Sequence, residues 1–268
     1  MVQYVACRAA APDAFYKNFN LVKMMSRHVA IMGATGAVGS EFLRILEQRD
    51  FQMDSLKLLA SSRSKGKVLK FRQQDLIVEE LCDASFEGVD LVLASAGGSF
   101  SKQYAKIIVD AGAVMVDNTS AFRMDPSTPL VVPEVNPEEI ANHNGIIANP
   151  NCSTIQMVVA LKPLHEAFGI ERVVVSTYQS VSGAGKSAMD ELFNQTKGIY
   201  MNEPESKFQE NFSKPIAFNT IPQIDVFMED GNTKEEWKMM VETKKILDPE
   251  IRLTATCVRV PVFVGHAE

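Results

Sequence analysis

The chain has 268 residues, 46% of them hydrophobic, and 27 Lys and Arg against 33 Asp and Glu give a formal net charge of −6. That length suits two domains with a sizeable core, and the acidic balance excludes nucleic-acid backbone binding as the main task. Four cysteines without a CxxC pair exclude a disulfide framework and a structural metal site and suit a reducing, cytoplasmic setting, and no run approaches the roughly 18–20 apolar residues of a membrane span.

Residues 1–25 hold one acid, Asp13, and no long apolar core. They lack the form of a secretory signal and are expected to be a disordered extension ahead of Met25-Ser26-Arg27. His28 to Met32 reads as a buried strand. It runs into Gly33-Ala34-Thr35-Gly36-Ala37-Val38-Gly39 and a helix from Ser40 to about Arg49. Strand, glycine-rich turn and helix together are the context of a dinucleotide-binding loop. Gly33 would permit the tight turn, Gly36 would let backbone approach a pyrophosphate, and Gly39 would let helix and strand pack closely. Thr35, Ala37 and Val38 would stand beside the phosphates at the helix N-terminus. Another α/β protein with a glycine-rich turn remains the alternative. Leu56 to Leu59 is the second strand, followed by Ser61, Ser62, Arg63, Ser64 and Lys65 with no acid for a ribose hydroxyl. That chemistry suits a 2′-phosphate and points to NADP, the alternative being a solvated basic loop.

Further βα units follow. Val89 to Ala94 is a strand ending in Ser95, Gly97 and Gly98, with a helix near Lys102 to Ala111, and Val114 to Val116 leads into Asp117 and Asn118. Small residues at the carboxyl ends of parallel strands line ligand crevices, so Ser95, Gly97 and Asn118 join the cofactor-binding candidates. Gly145 to Ala148 is a strand entering Asn149-Pro150-Asn151-Cys152-Ser153-Thr154, and a helical pattern runs from Ile155 to Phe168. Cys152 therefore sits at a strand-to-helix corner, where unpaired N–H groups and the helix dipole stabilise a thiolate and lower its pKa. On this stretch alone, a buried structural cysteine is an equal reading. Arg172 to Tyr178 is a strand leading to Gln179-Ser180-Val181-Ser182-Gly183-Ala184-Gly185. Helices are expected at Ser187 to Thr196 and Lys234 to Leu247, the latter opened by a Thr233–Glu236 capping box, with irregular chain over 197–231. Ile251 to Val258 alternates as a strand that continues through Arg259-Val260-Pro261-Val262 to the end.

These blocks closely resemble the aspartate-β-semialdehyde dehydrogenase family. The match rests on the glycine loop, Asp117-Asn118-Thr119-Ser120, the Asn149–Thr154 block, Gln179–Gly185, and Arg259–Val262 with Gly265-His266. The resemblance implies an N-terminal Rossmann-type domain with a parallel sheet over 26–151. It implies an α+β catalytic and dimerisation domain with a mixed sheet over 152–268. It further implies reductive dephosphorylation of aspartyl-4-phosphate to aspartate-4-semialdehyde with NADPH, in lysine, threonine, methionine and diaminopimelate synthesis. Cys152 would attack the acyl phosphate and hold a thioester, hydride transfer would give a thiohemiacetal, and that would collapse to the aldehyde. His266 would shuttle the proton and Gln179 would orient substrate. Arg259 would hold the substrate carboxylate with its planar fork, Arg123 and Lys238 the phosphate, and Glu235 the amine. Glu235 and Lys238 are three apart on one helix face, a spacing that an ordinary solvated ion pair shares. Ser182, Gly183 and Gly185 would lie near the nicotinamide. A homodimer or homotetramer is implied, with small-molecule partners only.

Family members continue past the catalytic histidine, so the second domain is expected to be incomplete, with a sheet edge and apolar face exposed. N-acetyl-γ-glutamyl-phosphate reductase is the nearest rival, but its cysteine block resembles Asn-Pro-Gly-Cys-Tyr where this chain has Asn-Pro-Asn-Cys-Ser. Glyceraldehyde-3-phosphate dehydrogenase is more distant, and Arg63 disfavours its NAD site. A non-catalytic fragment that keeps NADP binding or association is the rival from another class.

Overall fold

The computed structural model describes residues 27–203 and 210–268, so the extension expected over 1–25 lies outside the described residues. β1 (His28–Met32) is followed by α1 (Ala37–Gln48), β2 (Ser55–Ala60), β3 (Val68–Phe71), β4 (Gln74–Glu80), β5 (Leu91–Ala94), α2 (Gly98–Asp110), β6 (Val114–Asp117) and β7 (Ile146–Ala148). They build a seven-stranded sheet in the order β3-β4-β2-β1-β5-β6-β7. Every pairing is parallel except β3 with β4. A parallel sheet is covered on both faces, which is why its central strand is apolar without alternation. Ala30 and Met32 face a cluster with Phe86, Tyr104 and Ile108, while Ile31 faces Leu43, Leu46 and Val78 on the side of α1.

The β3–β4 hairpin has no counterpart in the sequence reading. Its turn residues Arg72 and Gln73 both take positive φ, 48° and 64°. Such a turn usually announces itself by Asn-Gly, and here the side chains carry no such signal. Both first-sheet helices begin earlier than expected, α1 at Ala37 and α2 at Gly98. Glycine N-caps, Gly36 and Gly97, open them and offer no side-chain capping signal to read.

The second half contains α3 (Cys152–Phe168), β8 (Arg172–Gln179), α4 (Lys186–Tyr200), α5 (Lys234–Ile246) and β9 (Arg252–Arg259). β8 and β9 pair in parallel from Arg172↔Arg252 to Gln179↔Arg259. Antiparallel bridges Tyr178↔Ala267 and Ile221↔Arg259 make the local pairing mixed. The inner face packs Val173, Val175, Leu253, Ala255 and Cys257 against Met157 and Leu161 of α3 and Met239 of α5. The capping box is present as expected: Thr233 accepts from the Glu236 N–H and Glu236 accepts from the Thr233 N–H.

One expectation is corrected. The chain does not continue as a strand beyond Arg259. It folds back along β8, and the Val181 and Ser182 N–H groups bond to the Val262 and Phe263 carbonyls. Pro261 has no N–H for a ladder, and Gly265 at φ 104° makes the return. This return brings His266 against Ser180.

Candidate active site

The candidate cofactor-binding residues of the glycine loop follow the carboxyl end of β1 in the large sheet. Gly33 has φ 94°, and a Cβ there would meet the Ser95 carbonyl oxygen at 2.6 Å. A Cβ on Gly39 would lie 2.3 Å from the Gly33 oxygen, so this glycine is required by close packing of the helix against its own turn. Gly36 caps α1 with no side-chain bond, leaving the first-turn N–H groups at Ala37 and Val38 open to an anion. Thr35 donates to Ser64 Oγ at 3.3 Å, which ties the loop to the 3-10 turn Ser62–Ser64. Ser61 and Arg63 are exposed beside it. An acid does reach this corner: Glu80 lies opposite Ala60 on the neighbouring strand and pairs with Lys65 at 3.2 Å. Asn118 donates to Ser95 Oγ and accepts from Asn149 at 2.7 Å, while Gly97 opens α2.

Cys152 is the first residue of α3, and Asn151 before it is the cap. The Asn151 Oδ1 accepts from the Ser153 and Thr154 N–H groups at 3.0 and 3.3 Å, its Nδ2 donates to Glu235 at 2.8 Å, and its backbone N–H donates to Glu242 at 2.6 Å. The side-chain cap is the reason the helix starts at the cysteine rather than at Ile155, where the apolar period begins. The expectation of a lowered thiol pKa is corrected. Cys152 reaches solvent on one side, but burial against the protein and then the Glu235 charge push its thiol up. The Ser153 N–H, Arg123 and Arg259 pull the other way and do not prevail.

Parallel pairing puts Gln179 and Arg259 in register on the inner face. Gln179 is buried and donates to Thr177 Oγ1 at 3.2 Å, and Arg259 donates to the Ser180 carbonyl at 2.6 Å. His266 Nδ1 accepts from the Ser180 N–H at 3.1 Å, with Ser180 Oγ at 3.0 Å. An acceptor Nδ1 places the neutral ring's proton on Nε2. Burial, then Arg259, lowers the His266 pKa. A Cβ on Gly183 would meet Arg259 Nη1 at 3.0 Å and His266 Nε2 at 3.4 Å, so any side chain there would crowd both. Ser182 lies one residue before Gly183 and Gly185 closes the same 3-10 turn.

α5 supplies the remaining charges. Glu235 and Lys238 pair at 3.2 Å, and Asp225 holds Lys238 at 2.9 Å. Burial works against the Lys238 cation, but Glu235 and Asp225 more than offset it and raise its pKa. Two neighbouring cavities share Lys238. One, of about 440 Å³, is lined by Gly183, Asp225, Glu235, Lys238 and Arg259. The other, of about 530 Å³, is lined by Lys102, Arg123, Trp237, Lys238 and Glu242. Arg123 and Lys238 thus face one cavity, Arg259 and Glu235 the other. Sequence reasoning missed Glu242 and Asp225. Glu242 falls seven residues after Glu235 on the same helix face, a spacing that pointed to it; Asp225 stands in irregular chain with φ 69° and gave no signal.

No helix among the described residues is long and apolar enough to cross a membrane. Two family models match: semialdehyde dehydrogenase, NAD binding domain, over residues 28–143, and semialdehyde dehydrogenase, dimerisation domain, over 161–268. The chain is 57% identical over 248 residues to the aspartate-semialdehyde dehydrogenase of Aquifex aeolicus, covering 91% of this chain and 73% of the relative. It resembles the crystal structure of aspartate semialdehyde dehydrogenase II complexed with ASA from Vibrio cholerae at TM-score 0.87 and 54% identity, covering 90% of this chain and 72% of that one. The aspartate semialdehyde dehydrogenase with NADP from Candida albicans is similar at TM-score 0.65 and 30% identity, covering 90% of this chain and 69% of that one.

Proposed function

The chain belongs to the aspartate-semialdehyde dehydrogenase family of oxidoreductases, and from that premise we propose that it interconverts aspartyl-4-phosphate and aspartate-4-semialdehyde with NADP through a thioester on Cys152. The observation that carries this reading is the convergence on one thiol. Cys152 opens a capped helix, the Arg123 and Arg259 charges both act on it, and Arg259 and His266 both border the space left by the missing side chain of Gly183.

The residues fit a nicotinamide dinucleotide. The uncapped N-terminus of α1 offers N–H donors to a pyrophosphate, and exposed Arg63 offers a guanidinium to a 2′-phosphate. The Candida albicans relative was crystallised with NADP, in agreement with that choice. When bound, the cofactor supplies the hydride that reduces the thioester carbon.

The chain's own groups do the rest. Arg259 takes the substrate carboxylate and Glu235 the amine. Arg123 and Lys238 hold the phosphate and favour its departure as the Cys152 sulfur forms its bond to the acyl carbon. His266, neutral at rest, takes the Cys152 thiol proton as the sulfur attacks; the imidazolium so formed gives that proton to the oxygen of the thiohemiacetal and receives it back as the aldehyde forms and the thiolate is released. Gln179 lies beside Arg259 to orient the acyl group. We assign 26–151 to cofactor binding and 152–268 to catalysis and self-association, the product serving lysine, threonine, methionine and diaminopimelate synthesis.

The test is NADPH formation from aspartate semialdehyde, inorganic phosphate and NADP. Activity should require Cys152, drop by a factor of roughly 10³ or more in Cys152→Ala, and fall sharply with NAD. Equal rates with NAD would overturn the NADP assignment, and undiminished activity in Cys152→Ala would overturn the thioester.

A further inference from the structure

Glu242 is fully buried at 1% exposure, and a buried carboxylate is stable only with donors on its oxygens. It has one on each. Oε1 accepts from Arg123 Nη1 at 3.1 Å and Oε2 accepts from the Asn151 backbone N–H at 2.6 Å. Arg123 comes from the loop after β6, and Asn151 is the cap immediately before Cys152. One side chain on α5 therefore spans the anion-facing loop and the nucleophile's helix. Arg123 spends two further N–H groups on the Thr119 and Asn118 carbonyls, which leaves two of its five for a ligand. One turn on, Lys245 donates to the carbonyls of Arg123, Asp125 and Thr128, and locks the same loop from the same helix.

We propose that Glu242 is a positioning residue, whose carboxylate holds the Arg123 guanidinium in fixed relation to the Asn151–Cys152 corner and so sets the phosphate site against the nucleophile. This rests on the function proposed above. Glutamine cannot replace it: with one acceptor and one donor in place of two acceptors, the amide NH2 faces either Arg123 or the Asn151 N–H donor to donor. Aspartate keeps the charge but is one methylene short of spanning both partners.

The test needs no turnover. Inorganic phosphate is titrated against alkylation of Cys152 by iodoacetamide, and the half-protecting concentration is read for wild type, Glu242→Gln and Glu242→Asp, each also in an Arg123→Lys background. We expect Glu242→Gln to raise that concentration roughly tenfold or more in the wild-type background and less than about threefold beside Arg123→Lys, because the effect passes through the guanidinium. Glu242→Asp should show the same non-additivity with a smaller factor, and it carries the test if Glu242→Gln does not fold. The Kd for NADP, read by calorimetric titration, should stay within about twofold in both, since the cofactor loop is not touched. Equal factors in the two backgrounds, no change in protection, or no protection of the wild type would each overturn the proposal. NADPH formation is assayed separately, so phosphate protection with no turnover would count against the proposed reaction and leave the anchor standing.

Discussion

At Cys152 the groups beside the thiol and the burial around it act in opposite directions. Its helix N-terminus and two guanidinium groups favour the thiolate, yet burial and Glu235 outweigh them and keep the thiol above its ordinary value. The alkylation rate of Cys152 should therefore rise with pH to a midpoint above that of a free cysteine, and Arg259→Met should move it higher still. A midpoint below the free value would show that the cations dominate. His266 shifts in the opposite sense, its pKa lowered because burial and Arg259 disfavour the imidazolium. Above the unfolded value of about 6.5 the neutral ring contributes no penalty; as pH falls below it, the unfolded chain takes up the proton first and stability is lost. Urea unfolding on either side of that value, at about pH 5.5 and 7.5, should show a smaller pH difference for His266→Asn than for the wild type. An equal difference in both would remove His266 as the source.

Elements decide which residues meet. The turn between β1 and α1 works because its glycines leave no room for anything else. Gly39→Ala would force its Cβ to within 2.3 Å of a backbone oxygen that has no side-chain freedom to yield. It should cost about 1–3 kcal/mol of stability, as overpacking does, and weaken dinucleotide binding more than Gly36→Ala, where the nearest atom is 3.3 Å away. Calorimetric titration with NADP on both variants measures this, and equal losses would count against the packing role. α5 is the other organising element. Its capping box was readable in Thr233 and Glu236, but the destination of its charged face was not, because Glu235, Lys238, Glu242 and Lys245 engage residues as much as 122 positions away.

At the scale of the molecule, among the described residues the two-stranded sheet is covered on one side only. Val173 and Val175 pack inward while Val174 and Tyr178 are 67% and 53% exposed. A family model named for dimerisation covers this region, and an exposed apolar strand face is the kind of surface that self-association buries. Val174→Asp should raise the fraction of smaller species in sedimentation velocity at equal concentration, and leave Cys152 alkylation unchanged. No shift in the distribution would exclude this face. The fold-back of residues 260–268 belongs to this scale as well, since it uses β8 to carry His266 to Ser180 and Arg259.

Short-range chemistry was legible in the chain itself. The glycine loop, the apolar runs of the parallel strands, the Asn151–Cys152 corner and the Thr233 cap each depend on neighbours within a few residues, and local sterics and hydrogen bonding dictate them. What the tertiary structure alone decided depends on distant groups meeting. The β3–β4 hairpin turns on Arg72 and Gln73 against their usual preference, Glu80 reaches the Ser61–Lys65 corner from another strand, and Glu242 finds its partners 119 and 91 residues away. The raised thiol of Cys152 belongs here too, because desolvation is set by everything packed around a group and the residues beside it in sequence define only part of that shell.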